Sequence, residues 1–259
     1  VNTLRDCDVI ICENPKHSLK LLNKLGIKKK LIALHDYNEQ KIIDRIKSFL
    51  KNKNCVLISD AGSPLVSDPG FKLVKYFVEN GIGVFSIPGP SSVIAALQIS
   101  SIPCNEFQFL GFAPKTKKSL YEFVEQLSYS RITSVFFSSG KRLLGCLQYI
   151  EKILKDRKVC VCKELTKINE RKFIGIASKI KLKIEEDSKN LLGEFVVIVE
   201  GNMKNEKNKL HLKPVIIKQI IKLMEKFSLT DVVEIVHKIT NVSKKQIYKE
   251  ALKHKNEKS

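Results

Sequence analysis

The sequence predicts an α/β protein with two α/β domains, residues 1–104 and 105–201, and a basic helical tail at 202–259. Short β-branched runs alternate with amphipathic helical stretches through the first two segments, which is typical of α/β folds. Tight loops rich in Gly and Pro follow several of the strand-like runs, as in open sheets that bind ligands at the carboxyl ends of their strands. The chain then turns polar from Asn202 to Leu212, and Pro214 begins a helical pattern.

The first segment reads as strands and helices in strict alternation, so we expect a mostly parallel sheet with helices on both faces. Ser18 and Asn38 are the predicted N-caps of its first two helices, and Gly26 is the predicted end of the first. The second of these helices has an apolar face that extends to Leu50. The predicted strands are 8–12, 30–34, 55–59 and 83–87, and a third helix lies around 73–78.

The loop from Asp60 to Gly70 contains two Gly and two Pro, and it directly follows the buried strand at 55–59. Such a span continues neither a strand nor a helix. Gly62 permits a positive φ and a close approach of a ligand to the backbone, while Pro64 and Pro69 stiffen the loop. From these residues alone the loop is either a ligand site or a rigid turn, and Asp60 and Asp68 are either functional groups or turn caps.

The second segment predicts strands at 107–112, 133–137, 158–162, 173–176 and 195–199, with helices from Lys117 and at 141–154. In the tail, Ser228 to Asp231 has the Ser-x-x-acid spacing of a capping box. A second helix follows the break at residues 241–243. Two helices about a short turn, in a segment with 14 Lys and 6 acidic residues, predict either a nucleic-acid-binding module or a plain helical lid.

The formal net charge of +19 favours a polyanionic partner, although a Lys-rich genome would produce the same composition. The seven Cys have irregular spacing, which predicts reduced thiols in a cytoplasmic protein. Cys160 and Cys162 form the one close pair, and no second pair of ligands completes a zinc site, so we expect no metal. No apolar run approaches the roughly 20 residues of a membrane span, so we expect no membrane association.

Four motifs in this order resemble the ribosomal RNA small subunit methyltransferase I family of the tetrapyrrole-methylase superfamily, the class III methyltransferases. They lie at 59–70, 88–92, 109–114 and 164–167. The resemblance implies two α/β domains with S-adenosylmethionine in the cleft between them, usually in a homodimer. It also implies 2′-O-ribose methylation of a decoding-centre cytidine of 16S rRNA in the small ribosomal subunit.

The resemblance places the cofactor against two loops and several strand ends, and it needs no metal because the methyl group is already activated. The implied cofactor-binding residues are Asp60, Ala61, Gly62, Ser63, Gly89, Pro90, Ser91, Phe137, Glu164, Thr166, Gly193 and Glu194. For catalysis we expect Glu164 and Lys167 to handle the proton or orient the hydroxyl group, and Arg142 to bind a phosphate. The alternative for Glu164 and Lys167 is a strand-end ion pair, and for Arg142 an exposed charge at a helix start.

The sequence departs from the family pattern in three places. The strand and glycine-bearing loop with which family members begin are absent. The family's Glu-Asp-Thr-Arg is replaced by residues 13–16, and its Tyr-Glu-Ser-Pro-His-Arg by residues 137–142. We expect an N-terminally incomplete record of an active enzyme, and the alternative is a homologue that binds RNA without activity. A corrin or porphyrin methylase is the other rival.

Overall fold

The computed structural model describes residues 1–47, 53–202, 214–240 and 242–256. Its eight strands are β1 Val9–Cys12, β2 Lys30–Ala33, β3 Cys55–Ile58, β4 Phe107–Phe112, β5 Thr133–Ser139, β6 Lys158–Lys163, β7 Arg171–Ile176 and β8 Glu194–Val199. The helices before residue 130 are α1 Asn2–Asp6, α2 Pro15–Lys24, α3 Glu39–Ile46, α4 Phe71–Glu79, α5 Ser92–Ile99 and α6 Lys117–Tyr129. Those that follow are α7 Gly140–Leu154, α8 Ala177–Glu185, α9 Pro214–Met224, α10 Leu229–Thr240 and α11 Lys244–Asn256.

The first sheet is parallel, in the order β2-β1-β3, as predicted. All four residues of β1 are buried, because this central strand is covered on both faces. Val9 and Ile11 pack against α3 and α4, whereas Ile10 and Cys12 pack against the side of α2. All three strands run the same way, so their carboxyl ends lie at one edge of the sheet.

The second sheet is mixed, in the order β4-β5-β8-β6-β7. Only β4 and β5 run parallel, and the remaining neighbours are antiparallel. Helices α6, α7 and α8 cover one face through a large apolar core, and α5 covers the other. The fold is therefore α/β, with helices at its C-terminal end. The domain boundaries at residues 104 and 201 stay predictions.

The predicted strand at 83–87 is wrong. This segment has no regular secondary structure, and Phe85 and Ile87 are exposed over 88% and 66% of their surface. A strand needs a neighbour to pair its backbone groups. In the described chain β3 pairs only with β1, and no strand lies beside 83–87. Helices α5 and α8 are present but were not predicted.

One of the two predicted helix caps is also wrong. Asn14 caps α2 through its side chain, which accepts the amides of Lys16 and His17, so Ser18 lies inside the helix and is buried. Asn38 holds the N-cap position of α3, as predicted, although its side chain bonds to Ala33 and His35 and not to an amide of the helix. Gly26 ends α2 with a φ of +66°, as predicted. Leu50, Asn241 and the polar stretch from residue 203 lie outside the described residues.

Helices α9, α10 and α11 form an apolar core of their own around Ile220, Val232, Val236 and Ile247. One half of the predicted capping box is present, because the Ser228 hydroxyl accepts a hydrogen bond from the Asp231 amide at 3.2 Å, whereas the Asp231 carboxylate bonds to the Ser228 hydroxyl. Within the described ranges, no helix combines the length and apolar character needed to cross a membrane.

Candidate functional site

The loop from Asp60 to Gly70 begins where β3 ends and is held in a strained conformation. Gly62 and Gly70 have φ values of +74° and +127°, and Leu65 and Ser67 also lie in the left-handed region, at +71° and +69°. Non-glycine residues adopt that region only where the surrounding structure holds them, and such strain is common at ligand sites. The Ser59 hydroxyl closes the turn by donating to the carbonyls of Ala61 and Gly62.

Four carboxylates gather at the carboxyl ends of the first sheet, and we call them the acid group: Glu13, Asp36, Asp60 and Asp68. Burial raises the pKa of Glu13, and the nearby charges of Asp68, Asp60 and Asp36 raise it further. Burial and the charge of Asp60 likewise raise the pKa of Asp68. Negative charge is therefore concentrated here in an otherwise basic chain, and a positively charged ligand would relieve the repulsion.

Asp60 has one carboxylate oxygen that the protein leaves unsatisfied. Its Oδ1 is buried and has no hydrogen-bond donor among the described residues, while its Oδ2 lies 3.7 Å from Nδ1 of His17. A buried acceptor without a donor is unfavourable unless a ligand or water supplies one. The amides of Ala61, Gly62 and Ser63 also donate to no described protein acceptor. Space beside Gly62 is open, because a Cβ built there meets no atom within 4 Å.

In the second predicted cofactor loop, Gly89 and Pro90 are exposed and lack regular secondary structure, whereas Ser91 is half-buried at the N-cap of α5. From residue 83 to residue 90 the backbone makes no hydrogen bond with another described backbone group. The loop leads directly into α5, whose Val93 packs in the same apolar core as Phe137 and Leu165. Its polar backbone groups are therefore available to a ligand near the second sheet.

Three strand ends meet at one edge of the second sheet. Ser139 at the end of β5 pairs with Glu194 at the start of β8, and the Glu164 amide donates to the Glu194 carbonyl at 2.9 Å. Two glycines allow this close packing. A Cβ on Gly140 would lie 1.6 Å from the Leu191 carbonyl oxygen, and one on Gly193 would lie 2.6 Å from the Glu164 side chain.

Glu164, Lys167 and Glu194 form a hydrogen-bonded group at this edge. Lys167 Nζ donates to Glu164 Oε1 at 2.9 Å and to Glu194 Oε2 at 3.0 Å, and the Glu194 amide also donates to Glu164 Oε1. These bonds lower the pKa of Glu164, chiefly through Lys167, and they raise the pKa of Lys167, chiefly through Glu164. At neutral pH Lys167 is therefore a cation and Glu164 is an anion, and neither is poised as a strong base.

The turn that carries these side chains is strained as well. Glu164 and Thr166 have φ values of +50° and +66°, and such a value is unusual for a β-branched residue such as Thr. The Thr166 amide donates to Glu170 Oε2, which holds the turn closed. Four of the six non-glycine residues with positive φ in the described chain lie in this turn or in the loop after β3. Strain thus concentrates where the sequence predicted function.

Phe137 and Arg142 contact other parts of the protein and so help to hold the second sheet together. The Phe137 ring is half-buried and contacts Phe109 edge to face and Phe112 at a tilt, at centroid distances of 4.9 and 5.2 Å. Arg142 Nη1 donates to the carbonyl of Ala113, just after β4. The remaining guanidinium N–H groups are not used by a described residue, so the phosphate-binding role stays a prediction.

The predicted site residues thus fall into separate groups. Glu164, Thr166, Lys167, Gly193 and Glu194 come together, whereas no hydrogen bond or ion pair in the described chain joins them to the Asp60 loop. Sequence reasoning missed Glu13 and His17. A detectable signal was present, because Glu13 directly follows β1, at the same sheet edge that Asp60 occupies after β3.

Residues 1–181 match the family described as Tetrapyrrole (Corrin/Porphyrin) Methylases. The chain is 37% identical over 252 residues to the ribosomal RNA small subunit methyltransferase I of Rickettsia prowazekii, covering 96% of this chain and 88% of that protein. It is 34% identical over 259 residues to the protein of the same name in Haemophilus influenzae, covering 98% and 90%.

Among solved structures, uroporphyrin-III-C-methyltransferase from Thermus thermophilus is similar, with a TM-score of 0.52 and 15% identity over 77% of this chain and 84% of that one. At this identity the likeness concerns the fold. It agrees with the α/β architecture described above.

Proposed function

This chain belongs to the ribosomal RNA small subunit methyltransferase I family of the tetrapyrrole methylases, and from that premise we propose its reaction. The protein transfers a methyl group from S-adenosylmethionine to the ribose 2′-hydroxyl of a decoding-centre cytidine in 16S rRNA. The observation that carries the proposal is 37% identity across 96% of the chain to a relative of that name. The net charge of +19 supports a nucleic-acid substrate, because Lys and Arg neutralise phosphates.

S-adenosylmethionine fits the chemistry of the Asp60 loop. The cofactor offers an ammonium group and ribose hydroxyls as donors, and the buried Oδ1 of Asp60 is an acceptor that lacks a donor. The acid group would attract the positive charge of the cofactor, and the amides of Ala61 to Ser63 could donate hydrogen bonds to its polar atoms. We propose that Gly89, Pro90 and Ser91 form a second contact, and that Phe137, Glu164, Thr166, Gly193 and Glu194 form the opposite wall. When bound, the cofactor supplies an electrophilic methyl group.

The chain's own residues contribute mainly by positioning. Holding a hydroxyl group in line with its target can contribute on the order of 7 to 11 kcal/mol to such a step. Lys167, whose pKa is raised, is a cation that holds Glu164 and can donate to the ribose oxygen. Glu164 is ionised, so it would accept the hydrogen bond of the ribose hydroxyl, orient that group and, although a weak base, take up its proton. Arg142 would contact a neighbouring phosphate.

The experiment supplies labelled S-adenosylmethionine and small subunits that lack the modification, and then maps the labelled nucleotide. The proposal expects label on the 2′-oxygen of one cytidine in 16S rRNA. Label on a corrin or porphyrin with none on rRNA would identify the tetrapyrrole-methylase rival. Subunit binding without cofactor binding would identify the inactive rival, and label on a base would contradict the 2′-hydroxyl assignment.

We also propose that the protein acts as a homodimer in the cytoplasm, as the resemblance implies. Sedimentation equilibrium at the concentrations used for methyl transfer is expected to give twice the 29.4 kDa mass of the chain. The mass of a single chain in an active sample would contradict the dimer.

A further inference from the structure

The three C-terminal helices form a small module with a defined surface. Its core of Ile220, Val232, Val236, Ile247 and Ala251 is buried, and it joins all three helices. Ser228 caps α10, and the Ser243 hydroxyl at the start of α11 bonds to the Gln246 side chain. Because α11 is fixed by this core, the backbone positions from which its outer side chains project are fixed relative to one another.

The outer face of α11 presents three lysines, Lys245, Lys249 and Lys253, which we call the lysine row. Because they are spaced four residues apart, their backbone positions lie in one line on the helix, about 6 Å apart along its axis. Ile247 and Ala251 occupy the opposite, buried face. All three lysines are exposed, and no described carboxylate forms an ion pair with any of them.

Two carboxylates of the module pair with cations outside the lysine row. Glu234 pairs with both Lys238 and Lys244, and Glu250 pairs with His254. Glu250 lies on the flank of α11, three residues before Lys253, but it pairs with His254 and not with a lysine of the row. A line of cations without a carboxylate partner attracts a chain of regularly spaced negative charges more strongly than a row of ion pairs does.

An exposed aromatic ring lies beside the lysine row. Tyr248 is 46% exposed, and at helical spacing it lies next to Lys245 on the flank of that face. A core position would bury the ring, whereas this one leaves it available for stacking. Lysines that follow a backbone, together with an aromatic ring that stacks on a base, are the features that bind single-stranded nucleic acid.

We propose that the lysine row and Tyr248 form a docking surface for a single-stranded segment of RNA. The lysines contact successive phosphates, and Tyr248 stacks on one unpaired base. This inference rests on the proposed function, because it assigns to the module the rRNA that the enzyme would modify. The module thereby contributes substrate affinity while the two sheets contribute chemistry.

The test compares two triple variants of the full chain that remove the same charge. One is K245Q/K249Q/K253Q, and the control is K152Q/K179Q/K183Q on α7 and α8, where the three lysines are also exposed. Binding of unmodified small subunits is measured between 50 and 200 mM salt. The first triple is expected to reduce the slope of log K against log salt by about 2 and to weaken binding by at least about tenfold. Equal changes in both triples would overturn the proposal, since general charge would then explain them.

Tyr248→Leu separates stacking from charge. It is expected to weaken binding by about fivefold or more while leaving the salt slope unchanged. An unchanged affinity would overturn the stacking part of the proposal. Circular dichroism of each variant checks that its helices are retained.

Methyl transfer measured on the same samples separates this inference from the proposed function. The lysine-row triple is expected to raise KM for subunits at least about tenfold, with little change in kcat or in cofactor affinity. If the wild-type protein methylates rRNA and the triple has an unchanged KM and salt slope, the inference fails and the function stands. If the wild-type protein binds subunits through the row but transfers no methyl group, the function fails and the inference stands.

Discussion

The loop after β3 and the strand ends around Glu164 are both strained, yet they differ in how far the protein satisfies its own polar groups. At the loop, Asp60 Oδ1 and several amides lack partners, and the space beside Gly62 is open. At the strand ends, Glu164 Oε1 accepts two hydrogen bonds, and Gly193 is packed against the Glu164 side chain. Incomplete satisfaction is typical of a surface that receives a ligand, whereas complete satisfaction fixes the positions of catalytic groups.

Gly140→Ala is expected to have the largest effect on stability, because it adds a methyl group to the closely packed strand ends. The new Cβ would lie 1.6 Å from a backbone oxygen, which cannot move aside as a side chain can. We expect the free energy of unfolding to fall by about 3 kcal/mol or more. Urea denaturation measures it.

Gly145→Ala in the same helix is the matched control for Gly140→Ala. Its Cβ would meet only Leu120 Cδ2, at an ordinary 3.4 Å. It is expected to be neutral or to stabilise the protein by up to about 1 kcal/mol. Equal stabilities for the two variants would contradict the close packing at the strand ends.

Lys167→Met tests whether the fixed group acts in catalysis or serves only as an ion pair. Lys167 is 49% exposed, so its loss is expected to change stability by less than about 1 kcal/mol. We propose that Lys167 lies beside the reacting oxygen, and its loss is therefore expected to lower kcat about 100-fold. Lys75→Met, which breaks the exposed pair with Glu79, is the control and should leave kcat unchanged. A kcat for Lys167→Met within twofold of wild type would leave only the ion-pair role.

Gly62→Ala tests the open region. No atom obstructs the new Cβ, so the variant bears only the strain of its φ of +74°, about 1 kcal/mol of stability. We expect the affinity for S-adenosylmethionine to fall at least about tenfold, because the methyl group occupies the approach to the loop.

Gly26→Ala is the matched control for Gly62→Ala. Gly26 has a φ of +66° and equally open surroundings, but it lies at the end of α2. It is expected to lose similar stability and to keep full affinity in calorimetric titrations. Equal affinities for the two variants would contradict the assignment of the loop to the cofactor.

Ionisation of a carboxylate in each of the two regions should have opposite effects on the stability of the folded protein. The pKa of Glu13 is raised, so its charge destabilises the folded protein at neutral pH, and this penalty disappears as the pH falls through the raised value. The pKa of Glu164 is lowered, so its charge stabilises the folded protein above the ordinary carboxyl pKa, and this is lost as the pH falls through the lowered value.

Glu13→Gln should therefore raise the free energy of unfolding at pH 7 by about 0.5 kcal/mol, and Glu164→Gln should lower it by a similar amount. Chemical denaturation from pH 7 to acid pH is expected to show both differences shrinking. Changes of the same sign would contradict the contrast between the regions.

The parallel first sheet and all seven helices and strands predicted between residues 107 and 199 are present, because buried β-branched runs and helical spacing are local signals. Sequence reasoning could not find the side-chain geometry that sets the pKa values of Glu13 and Glu164, which depends on residues far apart in the chain. The departure from the family motif at Gly140 also became interpretable only in the structure, where the Leu191 carbonyl leaves no room for a Cβ.

The predicted strand at 83–87 failed for a physical reason. Its apolar pattern is that of a buried strand, but pairing requires a neighbour, and none lies beside it in the described chain. The same absence of pairing leaves this segment's backbone groups open next to α5. A failed prediction of secondary structure thus coincides with a segment proposed to bind the cofactor.

Hydrogen–deuterium exchange with and without saturating S-adenosylmethionine tests most directly whether the open region receives the cofactor. Exchange is expected to slow at residues 61–70 and 83–91, whose amides gain partners, while the Glu194 amide, already bonded to Glu164, stays slow in both samples. Cofactor binding that leaves exchange at 61–70 unchanged would contradict the account.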